Sequence, residues 1–322
     1  MQNQPDKQTT FFDLALQQRG TVNTVLETIA REVDFTEAER RVAGTYSQTG
    51  RPGCRVGLLL RVMILQHLYG LSDPQAEEQL KDRLSFQKFV QLTAGEAVPD
   101  ETTICRFRQR LIECGLAEEL LELFNRQLEQ RGYIVKRTTL VDATLVQSSR
   151  KNPSAERMAE GKAPDGEASF TRKQGQSFYG YKAHVSSDAE HNLIRRALLS
   201  TAKVPDLRRF EQVVTPDALE VYADKGYDSK ASQAWLEARG IASGILKKGA
   251  RRIRLSEADR QANRRKGRIR APIERVFAHL KQWQQYRRVR YLGLLRNQLE
   301  LTLKAVAYNL KRLAKILEPQ ST

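Results

Sequence analysis

The chain is poor in the residues that staple small folds or build zinc knuckles. Its three cysteines, Cys54, Cys105 and Cys114, are scattered, and it has only four histidines. With no Cys-x-x-Cys pair, neither a disulfide framework nor a zinc site is expected, and a reducing, cytoplasmic setting fits. No apolar run reaches the ~18 residues of a membrane helix. The nearest approach, VGLLLRVMILQHLYGL, is interrupted by Arg61 and Gln66 and reads as a buried helix. The opening MQNQPDKQTT is polar and lacks the apolar stretch of a secretory signal. Acidic residues are also in deficit, with 38 Asp+Glu against 54 Lys+Arg and a formal charge of +16.

The charge excess is local. Between Lys247 and Arg290 there are 16 Lys/Arg against three acids (Glu257, Asp259, Glu274), a net of +13 out of the total +16. A block of one sign releases counterions from a polyanion and steers it in, which points to nucleic acid. The bland alternative is a solvated helix face, but that usually interleaves both signs.

With 322 residues and a 40% hydrophobic fraction the chain can bury a sizeable core in two or three domains. Residues 11–45 carry helical periodicity through Phe12, Leu14, Leu16, Val25, Leu26 and Ile29. Pro52 and Gly53 open a second helical unit with a buried helix over Leu58–Leu68 and a polar helix starting at Ser72 and Asp73. VPDETTICRFRQRL begins another helix, with Asp100 as N-cap. On it Arg106 and Arg110 share a face. From Tyr133 the pattern changes to short β-branched runs: TTLVDATLV, then YGYKAHV with its return strand, then LEVYAD. Asp206 is expected to cap a helix over Leu207–Val214. A helix over Ser229–Arg239, a short ASGILKK strand and a helix at Glu274 follow. Leu292–Leu317 forms a last amphipathic helix with a stripe through Leu295, Leu299, Leu303, Val306 and Leu310. The expected organisation is a helical segment over 1–45 and a helical domain over 46–132. An α/β domain over 133–290 contains a mobile loop (147–177) and a basic connector (247–270), and a C-terminal helix covers 291–322. Strands alternating with helices indicate an α/β sheet domain following a helical domain.

Three acids stand in contexts that fit one another. Asp142 interrupts a strand, where an ionised carboxylate needs a partner or a metal. Asp224 ends its strand before a turn at Gly226, on the edge where α/β sheets gather ligands. Glu274 falls in the first turn of a helix behind Pro272. Each also has an ordinary reading: a buried hydrogen-bonding Asp, a turn Asp, and a helix-capping acid. Neighbouring acids are explained more simply, Asp188 as a hairpin-turn residue and Asp228 as a cap for Ser229–Arg239. Glu257 is a rival third acid but has no apolar face to anchor it. At about 100° per residue Lys281 lies within about 20° of Glu274. Ile273, Val276, Phe277, Leu280 and Trp283 fill the adjoining apolar arc. Three converging carboxylates need a counter-charge. Two Mg²⁺ ions would supply it and would serve an in-line displacement at phosphorus.

These residues resemble those of the DDE transposases of bacterial insertion sequences, in the group named after insertion sequence five. The third-acid signature of that group is Tyr, two residues, Arg, three residues, Glu, six residues, Lys. Arg270, Glu274 and Lys281 match it, and the Tyr position is Gly267. ADKGYDS resembles the second-acid segment, and the strand around Asp142 with YGYKAHV resembles the first. GRPGCRVGLLLRVMILQHLYGLSDPQAEEQL and VPDETTICRFRQRL resemble a helical domain that binds DNA ends and dimerises.

The resemblance implies an α/β RNase H-like catalytic domain, a mixed sheet flanked by helices, preceded by an all-helical domain. It implies a transposase that binds the terminal inverted repeats of its element and transfers strands into target DNA. Asp142, Asp224 and Glu274 would be the catalytic metal ligands for two Mg²⁺, with Mn²⁺ able to substitute. Arg270, Lys281, Lys182, Lys225, Arg106, Arg110, Arg265, Lys266 and Arg268 would contact DNA. A homodimer or larger assembly would act without any membrane, in the cytoplasm and on the nucleoid when DNA-bound. The alternatives are an inactive DNA-binding relative acting as a repressor, and a general metal-dependent nuclease.

Overall fold

The computed structural model describes residues 23–46, 53–93, 95–154, 157, 160–173, 175–249 and 255–318. Phe12, Leu14, Leu16, Pro52, Arg251, Arg252 and Arg254 lie outside these residues. The chain divides into two units, one of residues up to Gln127 with those from Val306 onward, the other Leu128–Ala305. The division falls inside the last helix.

The first unit is helical. It comprises α1 (Thr24–Glu32), α2 (Thr36–Ala43), α3 (Val56–Tyr69), α4 (Asp73–Asp82), α5 (Leu84–Val90), α6 (Glu101–Glu113) and most of α7 (Ala117–Gln130). α3 is its axis, because its sequence is apolar all round and buries every residue from Val56 to Leu68 except Arg61. Arg61 is paired with Glu39 and sits 4.2 Å over the Phe35 ring. The caps follow the sequence: Ser72 closes a capping box with Gln75, and Asp100 accepts from Thr103 N. Residues 23–45 form two helices, the first ending at Val33, whose backbone is extended.

The second unit is built on a six-stranded mixed sheet. Its strands are β1 (Thr138–Gln147), β2 (Ser169–Lys173), β3 (Gln176–Asp188), β4 (Ile194–Thr201), β5 (Glu220–Ala223) and β6 (Ala242–Ser243). β1 is central, antiparallel to β3 and parallel to β5, and β6 extends the parallel side. The other edge of β3 carries β2 along one half and β4 along the other. A short 3-10 turn (Asp206–Arg209) leads into α8 (Phe210–Val213). With α9 (Lys230–Glu237) it covers an apolar cluster of Val141, Val221, Ala223, Phe210, Val213, Tyr227 and Leu236. Gly180 lets β3 pass the end of β1, since a Cβ there would lie 2.3 Å from the Val146 carbonyl oxygen.

Then come α10 (Glu257–Arg270), α11 (Ile273–Gln282) and α12 (Leu294–Leu317). The sequence pattern suggested a connector over 247–270, but most of it is α10. Ser256 caps that helix by accepting from Asp259 N, and Glu257 and Asp259 favour its first turn. None of its residues is buried, so it carries no apolar stripe for periodicity to detect. The stretch 147–177, expected to be a mobile loop, contains β2 and is anchored at Asp165. That buried carboxylate accepts from Ser148 Oγ and from Tyr181 Oη, each at 2.8 Å. The last helix is buried on all sides from Leu299 to Leu310, but Leu295, expected on its stripe, is exposed.

Candidate active site

Asp142 and Asp224 are set side by side by the parallel pairing of β1 and β5. The register runs through Val141 against Ala223, so the next residue on each strand is an aspartate. Neighbouring strands lie about 4.8 Å apart. Each carboxylate is oriented by the backbone. Asp142 Oδ1 accepts from Ala143 N at 2.8 Å, and Asp224 Oδ1 accepts from Lys225 N at 2.7 Å, capping a 3-10 turn over Lys225–Tyr227. Asp142 alternates with Val141, which faces the apolar cluster, so the aspartate projects from the other face.

Arg270 ties the third acid to this pair. It is the last residue of α10; a two-residue turn, Ala271–Pro272, follows, and Glu274 sits in the first turn of α11. Arg270 Nη1 lies 2.7 Å from Asp142 Oδ2, and Arg270 Nη2 lies 3.4 Å from Glu274 Oε1. Burial pushes the Asp142 carboxyl above the usual carboxylate range, opposed by the Arg270 charge and reinforced by Asp224. Burial pushes the Tyr227 hydroxyl well up, reinforced by Asp206, Asp142 and Asp224, and it finds no hydrogen-bond partner among the described residues. Glu274 remains mostly exposed, 69% by side chain, whereas Asp142 is 23% exposed.

Among the described residues no three His, Cys, Asp or Glu side chains converge as a closed metal cage would. Two acids are adjacent, and a guanidinium links one of them to the third. The donor chemistry nevertheless suits a hard divalent cation, because all three side chains offer carboxylate oxygen. Arg270 already bridges Asp142 and Glu274 as a cation would, so positive charge between them is what the site lacks without it.

The remaining expected contact residues divide into two groups. Lys225, Arg265, Arg268 and Arg106 are exposed. Three others have internal tasks. Lys182 Nζ contacts the Val204 carbonyl and Asp206, each at 2.8 Å. Lys266 Nζ donates to the Ile245 carbonyl at 3.0 Å. Arg110 donates to the Thr45 carbonyl at 2.8 Å and covers the Tyr46 ring at 4.1 Å. Asp206 is therefore an ion-pair partner rather than a helix cap. Asp228 is not a cap either: it accepts from Lys248 N and Gln233 Nε2, and Ser229 caps α9. Asp188 does organise its turn, accepting from the backbone N–H groups of Glu190, His191 and Leu193. Glu257 pairs with Arg260 at 3.1 Å on α10.

Lys281 is half-buried on α11. Its ammonium is pushed down by burial and then by two like charges, Lys173 and Arg287. The sequence did not single out those two neighbours, because only the fold brings a β-hairpin residue to this helix. Trp283, expected in the apolar arc, is instead 67% exposed, since α11 ends at Gln282 and leaves it as the C-cap.

Comparison with known proteins gives two family matches. Residues 14–110 match a family described as "Transposase domain (DUF772)", and residues 134–310, more than half of the chain, match the "Transposase DDE domain". Among solved structures, a cryo-EM structure of the piggyBac transposase synaptic complex with hairpin DNA is similar. Its identity is 9% and its TM-score 0.45, over 92% of this chain and 73% of that one.

Proposed function

This chain belongs to the DDE transposase family, and from that premise we propose that it cuts and joins DNA at Asp142, Asp224 and Glu274. The observation that carries the assignment is the adjacency of Asp142 and Asp224 across the β1–β5 register, with Glu274 linked to Asp142 through Arg270. Three antiparallel pairings around β3, with β5 and β6 added in parallel beyond β1, support an RNase H-like reading of the sheet. Asp142, Asp224 and Glu274 would hold two Mg²⁺ ions, with Mn²⁺ able to substitute. When bound, these supply positive charge to the attacking and leaving oxygens of the displacement.

The protein's own groups do the rest. Asp142 and Asp224 are oriented by backbone N–H donors, and Arg270 gives up its contacts with Asp142 and Glu274 when the ions bind. The attacker is water for strand cutting and a DNA 3′-hydroxyl for joining. Arg270 and Lys281 hold phosphates in position. Exposed Arg265 and Arg268 on α10 and Lys225 beside Asp224 extend the cationic surface. The helical domain over 46–132, including exposed Arg106, binds the terminal inverted repeats and pairs with a second copy, so that two ends are handled together. Such work belongs in the cytoplasm, on the nucleoid. No helix of the described residues is long and apolar enough to cross a membrane.

The test uses duplexes bearing the inverted repeats that flank the gene. The wild-type protein should bind them, nick them at the element boundary with Mg²⁺, and join them to target DNA. Asp224→Asn should bind equally and do neither. Nicking that persists in Asp224→Asn would refute the assignment. Cutting without preference for the ends would indicate a general nuclease, and binding without Mg²⁺-dependent cutting a repressor.

A further inference from the structure

Three cations from separate segments lie near enough beyond the acidic cluster for Lys173 and Arg287 to act on the Lys281 ammonium. Lys173 ends β2 at the tip of the β2–β3 hairpin. Lys281 lies in the last turn of α11, which packs on β1. Arg287 sits in the strap after α11, and its backbone is fixed to the end of β1: its carbonyl accepts from Gln147 N at 3.0 Å, and Val289 N donates to the Gln147 carbonyl at 2.9 Å. Gln147 in turn pairs with Gly180 of β3, and Phe170 of β2 with Tyr179. One continuous run of backbone pairing therefore holds the hairpin and the strap in place around Lys281.

No carboxylate pairs with Lys173, Lys281 or Arg287 among the described residues. Elsewhere in this unit close cations do have acids, as with Lys136 and Asp217, Arg195 and Asp217, and Lys182 and Asp206. A half-buried lysine facing two like charges is an arrangement that a bound anion stabilises. The strap also presents Arg288, whose guanidinium reaches Gln147 Oε1 at 3.4 Å.

We propose that Lys173, Lys281 and Arg287 form a cradle for a DNA backbone phosphate, making the β2–β3 hairpin tip and the strap after α11 part of the DNA-binding surface. The occupant is a phosphodiester of duplex DNA, because the site is purely cationic and phosphate contacts, unlike base contacts, need only positive charge in position. Lys281 stands seven positions beyond Glu274, about 10 Å along the helix. At about 3.4 Å per nucleotide, the phosphate in the cradle would lie about three nucleotides from the reacting one. This spacing rests on the transposase reading; the cradle itself requires only DNA.

The test separates the two. Binding of a short duplex of arbitrary sequence is measured without Mg²⁺ across a salt series, for the wild type, Lys173→Gln, Arg287→Gln and Lys230→Gln. Lys230 is exposed at the start of α9 and serves as a charge-matched control. Lys173→Gln and Arg287→Gln should each weaken binding and lower the slope of log K against log salt by up to ~1, more than Lys230→Gln does. Arg287→Lys should recover most of the slope. The cradle is overturned if both variants match Lys230→Gln while melting at the wild-type temperature. Lost end-directed cutting with these slopes as expected would count against the transposase reading and leave the cradle standing.

Discussion

Replacing Arg270 with Gln should make the DNA-free protein bind Mn²⁺ more tightly. The guanidinium spans Asp142 at 2.7 Å and Glu274 at 3.4 Å, so a divalent ion must displace it to reach either acid. The Asp142 contact is a charge-assisted hydrogen bond between side chains only 16% and 23% exposed, worth roughly 1.5–3 kcal/mol. The Glu274 contact is longer and mostly solvated and adds at most about 1 kcal/mol. Taking about 2 kcal/mol as the handicap, Mn²⁺ affinity should rise roughly 30-fold, at 1.4 kcal/mol per factor of ten. Free Mn²⁺ is counted by electron paramagnetic resonance at mildly alkaline pH, chosen because burial raises the Asp142 pKa. Arg270→Lys, which keeps the charge, should gain much less. Equal or weaker Mn²⁺ binding by Arg270→Gln would refute the reasoning, because Arg270 would then be orienting the acids rather than competing for them.

Other outcomes follow from the same geometry. Gly180→Ala should cost about 3 kcal/mol or more in denaturant unfolding, since the new Cβ meets the Val146 oxygen at 2.3 Å and both strands are fixed. Lys182→Gln should lower stability by about 1 kcal/mol and leave the salt slope of DNA binding unchanged, because its ammonium is spent on Val204 and Asp206. Asp217 is held down to about 2: burial opposes this, but Lys136 and Arg195 outweigh it. Its folded pKa lies below the ordinary 3.8, so its stabilisation is fully present above that value and is lost as pH falls towards about 2. The stability gap between the wild type and Asp217→Asn should therefore be widest above pH 3.8 and close below it.

What could be read from the sequence depended on range. A strand interrupted by Asp142, a strand ended by Asp224 and a helix opened by Glu274 are local signals, and the fold sets the first two side by side. The helical character of the first unit was equally plain, because α3 is apolar on every face and Ser72 and Asp100 are strong caps. The helix α10 went unseen because charge, not an apolar stripe, covers it. Lys182, Lys266 and Arg110 looked like phosphate ligands, since sequence gives a side chain's charge but not the carbonyl it reaches. Asp165 was hidden in a polar stretch, because its partners Ser148, Tyr181 and the Gly293 N–H come from three separate places. Lys173 and Arg287 became visible beside Lys281 only once β1 and β3 had joined the hairpin to the strap.

The central claim is that Glu274, the most exposed of the three acids, completes the metal site. It is tested most directly by counting Mn²⁺ ions bound to the protein on its DNA end, for the wild type and Glu274→Gln. The account expects two tightly bound ions per active site in the wild type, and the loss of at least one, together with strand cutting, in Glu274→Gln. Two ions and full cutting in Glu274→Gln would contradict it.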